Sequence, residues 1–87
     1  MKKIEHIGIA VANLDNANQL YSKILGAPPY KTETIDLEGV KASFFQVGNT
    51  KIELLEGISD DNAISKFIAK RGEGVHHIAF EVENIFF

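Results

Sequence analysis

The sequence contains no cysteine, which excludes disulfide bridges, thiolate nucleophiles and thiolate metal ligands. No apolar run approaches the ~20 residues that a membrane-spanning helix needs. The chain has nine Lys and Arg residues and twelve Asp and Glu residues, which gives a formal net charge of -3. A chain with this charge lacks the basic surface that nonspecific nucleic-acid binding requires. We therefore expect no nucleic-acid partner and no membrane partner. Residues 1–4 indicate the start of a strand rather than a signal peptide, so a cytoplasmic location is expected.

The composition that remains is that of a small folded domain. Hydrophobic residues make up 45% of the 87 residues, which supports a core and argues against disorder. A chain of this length buries only roughly 60% of the surface that its unfolded form exposes. One domain, or part of one, is therefore the expectation.

Two segments near the ends of the chain resemble each other. Residues 6–14 read HIGIAVANL and residues 77–85 read HIAFEVENI, with His, Ile, Val and Asn in matching places. In each copy, bulky apolar residues occupy alternate positions, and the opposite face carries a His beside a small residue. The repeat predicts two related strands, each with an apolar face suited to packing under a helix and a His face open to a metal or ligand.

Periodicity and turn residues predict the order strand, helix, three strands, helix, strand. The predicted elements are a strand at 4–11, a helix starting at Asp15 and stopping at Gly26, strands at 30–36, 40–47 and 50–56, a helix from 63 that ends at Gly72 or Gly74, and a strand at 75–82. The turn at Gly48-Asn49 is typical of a hairpin, so the three middle strands should form an antiparallel meander.

Helix ends and faces can also be predicted. Asp15 suits the N-cap of the first helix, and the polar residues 59–61 offer caps for the second. The apolar stripe expected to face the sheet from the first helix consists of Ala17, Leu20, Tyr21, Ile24 and Leu25.

Three residues typical of a metal site can be placed on one side of the strands. His6 and His77 occupy equivalent positions of the repeat, and Glu53 lies in mid-strand, where a carboxylate is disfavoured unless it is paired or exposed. Two imidazoles and a carboxylate suit a divalent first-row metal. We predict these three as metal ligands; the alternatives are half-buried strand histidines and a Glu on a solvated face. Glu56 is expected at the surface, and His76 is expected to point away from His77 in a structural or supporting role.

The strings IEHIGIAVANLDNA, VGNTKIELLEG and GEGVHHIAFEVENI resemble the methylmalonyl-CoA epimerases of the vicinal-oxygen-chelate (glyoxalase/bleomycin-resistance/dioxygenase) superfamily. The resemblance implies an α+β fold in which βαβββ modules curve into a half-open barrel around a metal. It divides the chain into a first module (1–57), a linker with a short helix (58–74) and the start of a second module (75–87). The chain is thus expected to be an incomplete domain, inactive by itself or dependent on association with a second chain.

The resemblance also implies a function for the complete protein: interconversion of (R)- and (S)-methylmalonyl-CoA through a metal-stabilised enolate. The implied substrate is an acyl-CoA thioester, the implied cofactor a divalent ion (cobalt, zinc, manganese or nickel), and the implied assembly a homodimer. His6, Glu53 and His77 would be ligands, with a fourth ligand, a Glu, beyond residue 87. Some members carry an acid/base Glu on the third strand. Ala42 stands at that place, and the nearby Glu38 is not assigned the role, so the catalytic acid and base stay unassigned.

Three other functions fit the same residues. A lactoylglutathione lyase uses related metal chemistry, and two His with one carboxylate also describe the iron site of a ring-cleaving dioxygenase. A small-molecule-binding module without catalysis is the alternative of another class. Such modules usually lack the His/Glu set, which favours an enzyme.

Overall fold

A computed structural model of the chain describes residues 2–83. Its elements are β1 (Lys3–Ala10), α1 (Leu14–Leu25), β2 (Lys31–Ile35), β3 (Val40–Val47), β4 (Thr50–Gly57), α2 (Ala63–Arg71) and β5 (Gly74–Glu81). The predicted element order and the α+β class are confirmed. Residues 84–87, where the sequence predicts the start of a second module's helix, lie outside the described residues.

The strands form one five-stranded mixed sheet in the order β2-β3-β4-β1-β5. β1 lies between β4, with which it is parallel, and β5, with which it is antiparallel. The meander of β2, β3 and β4 is confirmed, and Gly48 adopts the positive φ of 58° that its hairpin turn needs. The two related strands, β1 and β5, are therefore direct neighbours in the sheet.

The helix α1 begins earlier than its sequence signal indicates. Asn13 is the N-cap, because its extended backbone lets its side-chain oxygen accept a hydrogen bond from the Asn16 amide at 2.9 Å. The prediction of Asp15 as the cap is wrong; Asp15 lies in the first turn, where its charge favours the positive end of the helix. The predicted stop at Gly26 is confirmed by its φ of 78°.

Glu56 supports the same helix end from the neighbouring strand. Its Oε1 accepts a hydrogen bond from the Leu14 amide at 2.6 Å, and the side chain is half-buried. The expectation of a free surface residue is wrong, because the end of β4 lies beside the start of α1. The carboxylate satisfies an amide that has no partner within the helix.

The helix α1 covers one face of the sheet with a narrower stripe than predicted. Leu20 and Ile24 are 55% and 65% exposed, so these two members of the predicted stripe do not pack. The core on this face consists of Val11, Leu14, Phe45 and Leu54, with Ile9, Ala17, Tyr21, Leu25 and Ile52 packed against them. The apolar face of β1 thus lies under a helix, as predicted.

The helix α2 packs on the opposite face of the sheet. The core there consists of Ala10, Val40, Ala42, Leu55 and Ile64, with Ile35, Phe44, Phe67 and Ile68 packed against them. Asn62 caps α2 by accepting from the Ser65 amide at 2.8 Å, so the predicted caps at residues 59–61 are wrong. Neither helix within residues 2–83 is both long and apolar enough to cross a membrane.

Candidate metal centre

The three predicted ligand residues meet on the α2 face of the sheet, around the centre of β1. Gly8 is paired with Glu53 of β4 on one side and with His77 of β5 on the other. His6 lies two residues earlier on the same face of β1. The strand register therefore brings the three side chains together, although they are up to 71 positions apart in the sequence.

The distances within this cluster fit a shared cation. His6 Nε2 lies 3.1 Å from His77 Nε2 and 3.3 Å from Glu53 Oε2, and one donor atom of each residue lies within 4.8 Å of the others. Ligands about 2.0–2.1 Å from one ion, at angles between right and tetrahedral, are separated by about 2.9–3.4 Å. The donor set of two imidazoles and one carboxylate suits a divalent first-row ion. That the cluster binds one stays a prediction.

Gly8 provides the space that the cluster occupies. A Cβ atom added to this residue would lie 2.2 Å from His77 Cε1 and 2.6 Å from His77 Nε2. Real Cβ atoms essentially never approach so closely, so a larger residue would displace the imidazole. The space that the small residue leaves at this face is taken by the His77 ring, and the predicted room for a metal or ligand stays a prediction.

Two β-bulges between β1 and β5 change which way the neighbouring side chains point. Between Ile4 and His6 the register passes over Glu5, and between Val75 and His77 it passes over His76. An extra residue in one strand breaks the alternation of faces and re-aims a side chain. The bulges thus lie immediately before each of the two clustered histidines.

Each bulged residue reaches the ring nitrogen that faces away from the cluster. Glu5 Oε1 lies 3.1 Å from His6 Nδ1, and His76 Nδ1 lies 2.9 Å from His77 Nδ1. The expectation that His76 points away from His77 is therefore wrong, because strict alternation fails at the bulge. The sequence pattern does not indicate Glu5 for the same reason: in a regular strand, the residue before a ligand points to the other face.

The surroundings of His77 favour its neutral form. Burial, and then the nearby His6 and His76, lower the pKa of His77 below its ordinary value, against the opposing influence of Glu53 and Glu38. A neutral imidazole is the form that binds a metal. The hydrogen bond with His6, together with Lys51, lowers the pKa of the Glu5 carboxyl, so this group is a carboxylate at neutral pH.

A cavity of ≈ 310 Å³ opens in front of the cluster. Ala63 and Ile64 of α2 contribute apolar walls, and Glu38 in the turn between β2 and β3 lies on another wall. Ala42, the position at which the resemblance implies an acid/base Glu in some members, is fully buried in the core. A larger cleft of ≈ 480 Å³ lies beside α1, but none of the three clustered residues lines it. The smaller cavity in front of the cluster is therefore the candidate site.

Comparison with known proteins gives a family and named relatives. The Glyoxalase/Bleomycin resistance protein/Dioxygenase superfamily matches residues 5–86. The uncharacterized protein YqjC of Bacillus subtilis (strain 168) is 40% identical over 80 residues, which cover 92% of this chain and 57% of that protein. The mitochondrial methylmalonyl-CoA epimerase of Homo sapiens is 39% identical over 84 residues, which cover 95% of this chain and 48% of that protein.

Solved structures give the same grouping. A variant of the Streptomyces coelicolor methylmalonyl-CoA epimerase in complex with 2-nitronate-propionyl-CoA is 35% identical, with a TM-score of 0.88 over 98% of this chain and 63% of that one. The methylmalonyl-CoA epimerase of Mycobacterium tuberculosis is 32% identical, with a TM-score of 0.82 over 87% of this chain and 52% of that one. The chain spans about half the length of the curated relatives it matches.

Proposed function

The chain belongs to the Glyoxalase/Bleomycin resistance protein/Dioxygenase superfamily, and from this premise we propose that it carries the metal centre of a methylmalonyl-CoA epimerase. The observation that carries the proposal is the convergence of His6, Glu53 and His77 at the cavity beside α2. Relatives and solved structures named methylmalonyl-CoA epimerase support the choice of reaction. The proposed substrate is the CoA thioester of a methyl-branched malonate.

The chemistry of that substrate explains why such a centre is useful. The C2 proton lies between a thioester and a carboxylate, and its removal places negative charge on neighbouring oxygens. When bound, a divalent cation supplies positive charge beside those oxygens. The two imidazoles and the Glu53 carboxylate would hold the cation at the cavity, whose wall includes the apolar Ala63 and Ile64 of α2.

Inversion at C2 also needs groups that remove and return a proton. Ala42 has no such group and is buried, whereas Glu38 is an exposed carboxylate on the cavity wall outside the cluster of three. We assign to Glu38 one of the two proton transfers. A carboxylate at this place would accept the C2 proton from a substrate held between the turn and the metal centre.

The experiment that tests the proposed function is deuterium exchange at C2 of methylmalonyl-CoA. The protein, expressed from its complete reading frame and loaded with cobalt, should exchange the C2 proton, and the His6→Ala variant should not. A cobalt-loaded protein that leaves C2 unexchanged but converts the hemithioacetal of glutathione would favour the lactoylglutathione lyase alternative. Absence of both activities would refute the proposed function.

The role of Glu38 has a separate test. Glu38→Gln should slow the exchange while cobalt affinity stays unchanged, because Glu38 is not one of the three clustered residues. Glu33→Gln is the matched control, since Glu33 lies on β2 and pairs with Lys31 at 3.2 Å outside this cavity. Equal exchange rates in both variants would remove Glu38 from the mechanism. The homodimer, the module boundaries and the cytoplasmic location stay predictions made from the sequence.

A further inference from the structure

The β-bulge in β1 gives Glu5 a position that a regular strand would not allow. Because the register passes over Glu5, its side chain lies on the same side as His6, and its Oε1 reaches His6 Nδ1 at 3.1 Å. The second carboxylate oxygen, Oε2, lies 3.4 Å from Lys51 Nζ. The carboxylate is thus held from two directions, by the imidazole of β1 and by the ammonium group of β4.

This contact favours the tautomer of His6 in which Nε2 faces the cluster without a proton, and a cation bound between Nε2 and Glu53 would favour the same tautomer. A carboxylate accepts hydrogen bonds and does not donate them, so Glu5 Oε1, 3.1 Å from Nδ1, favours the ring proton on Nδ1, in competition with Glu53 Oε2, which lies 3.3 Å from Nε2. Nε2 then directs its lone pair towards Glu53 Oε2 and His77 Nε2, at 3.3 Å and 3.1 Å. The lone pair of an imidazole nitrogen is what a metal ion requires.

We propose that Glu5 is a positioning residue of the metal centre: through the β-bulge it fixes the Nδ1–H tautomer and the ring orientation of His6, and so strengthens the binding of a divalent cation. The inference rests on the proposed function, because it assumes that His6 is a ligand. A carboxylate on the far nitrogen of a ligating imidazole orients the ring and raises its basicity as a ligand. Glu5 is not one of the three clustered residues and would not be a ligand itself.

The second bulge provides a comparison within the same sheet. His76 holds the equivalent place before His77, with its Nδ1 2.9 Å from His77 Nδ1, but its ring also packs edge-on against Phe67 at 5.1 Å. An imidazole either donates or accepts at this contact, so it does not impose one tautomer as a carboxylate does. The charged support is therefore at His6, and the two clustered histidines are not equivalent.

The first test uses the metal-free chain and does not depend on activity. Long-range proton–nitrogen correlation NMR distinguishes the two neutral tautomers of a histidine ring. In the wild type, His6 should be the Nδ1–H form. In Glu5→Ala the preference should be lost, and in Glu5→Gln, which keeps an acceptor without the charge, it should be weakened.

The second test measures cobalt affinity by the absorption of the bound ion. Glu5→Ala should bind cobalt on the order of 10- to 100-fold more weakly than the wild type, the usual loss for a supporting partner of a metal ligand. Glu5→Gln should lie between the two, and Lys51→Met, which frees one oxygen of Glu5, should give a smaller loss. Glu33→Ala is the control for removing a surface Glu that pairs with a Lys, and it should bind cobalt as the wild type does.

The outcomes separate the two proposals. If the wild type and Glu5→Ala bind cobalt equally well and show the same His6 tautomer, the role of Glu5 is refuted while the metal centre stands. If the wild type binds no cobalt, the proposed function fails first. Should Glu5→Ala unfold, Glu5→Gln decides, because it preserves the volume of the side chain.

Discussion

Replacing Gly8 by alanine should abolish metal binding at the proposed centre while leaving the fold in place. The added Cβ would lie 2.2 Å from His77 Cε1, whereas ordinary contact begins at 3.4 Å, so the ring must retreat by about 1.2 Å. Metal sites tolerate displacements of about 0.5 Å. Since even a lost supporting hydrogen bond weakens metal binding about 10- to 100-fold, loss of His77 as a ligand should weaken it more than about 100-fold.

The assay is a cobalt titration followed by absorption, with thermal unfolding of the metal-free chain measured in parallel. Overpacking should lower the free energy of unfolding by about 1–3 kcal/mol, with the low end expected if the His77 ring swings towards solvent. Gly74→Ala is the matched control: it lies at the start of β5, has no positive φ, and its added Cβ meets no atom within 4 Å. Gly74→Ala should bind cobalt as the wild type does.

Cobalt affinity of Gly8→Ala equal to that of the wild type would contradict this prediction. That result would mean that His77 is not a ligand, or that β5 moves away from β1 to accommodate the methyl group without disturbing the site. A second titration of His77→Ala distinguishes these cases. Unchanged affinity in His77→Ala as well would remove His77 from the metal centre.

Three further predictions concern the helix caps and the pH dependence of stability. Asn13→Ala should lower the free energy of unfolding by about 1 kcal/mol in urea denaturation, and more than Asp15→Ala, because Asn13 accepts the hydrogen bond from the helix. Asn62→Ala should lower the free energy of unfolding by about 2 kcal/mol in the same measurement, because this side chain caps α2 and also donates to the Gly39 and Ser59 carbonyls. A smaller loss of stability than in Asn13→Ala would contradict this prediction. The pKa of His77 is lowered in the folded state, so as the pH falls the His77 ring is protonated in the unfolded chain, at about pH 6.5, before it is protonated in the folded chain. The free energy of unfolding of the metal-free chain therefore decreases as the pH drops through that value. Urea denaturation in chelator at about pH 7.5 and about pH 5.5 should show a smaller drop for His77→Asn than for the wild type, and equal drops would contradict the lowered pKa.

The element order could be predicted because the signals that set it are local. Alternation with a period of two marked β1 and β5, and Gly26 and Gly48 marked a helix end and a hairpin. Alternation also put His6 and Glu53 on the face opposite Ile9 and Leu54, which belong to the core under α1. Side-chain direction in a regular strand depends only on the position of the residue along it, so sequence alone suffices.

Helix starts were predicted less well because several polar residues compete for each cap. Asn13 and Asp15 both suit an N-cap, and the choice depends on where the chain leaves β1 and on Glu56, which approaches the Leu14 amide from β4. The exposure of Leu20 and Ile24 likewise depends on where α1 lies across the sheet. Contacts of this kind join residues that are distant in the sequence, and no local pattern contains them.

The sequence by itself determined the repeat, the α+β class and the three residues that meet at the centre, since these follow from the alternation of residue types along each strand. Only the tertiary structure decided what surrounds them. The pairing of β1 with β5 introduced the bulges that turn Glu5 and His76 towards the histidine rings, and it placed Gly8 where a single methyl group would displace His77. Bulges and close approaches arise between two strands, so they are properties of the pair and not of either sequence alone.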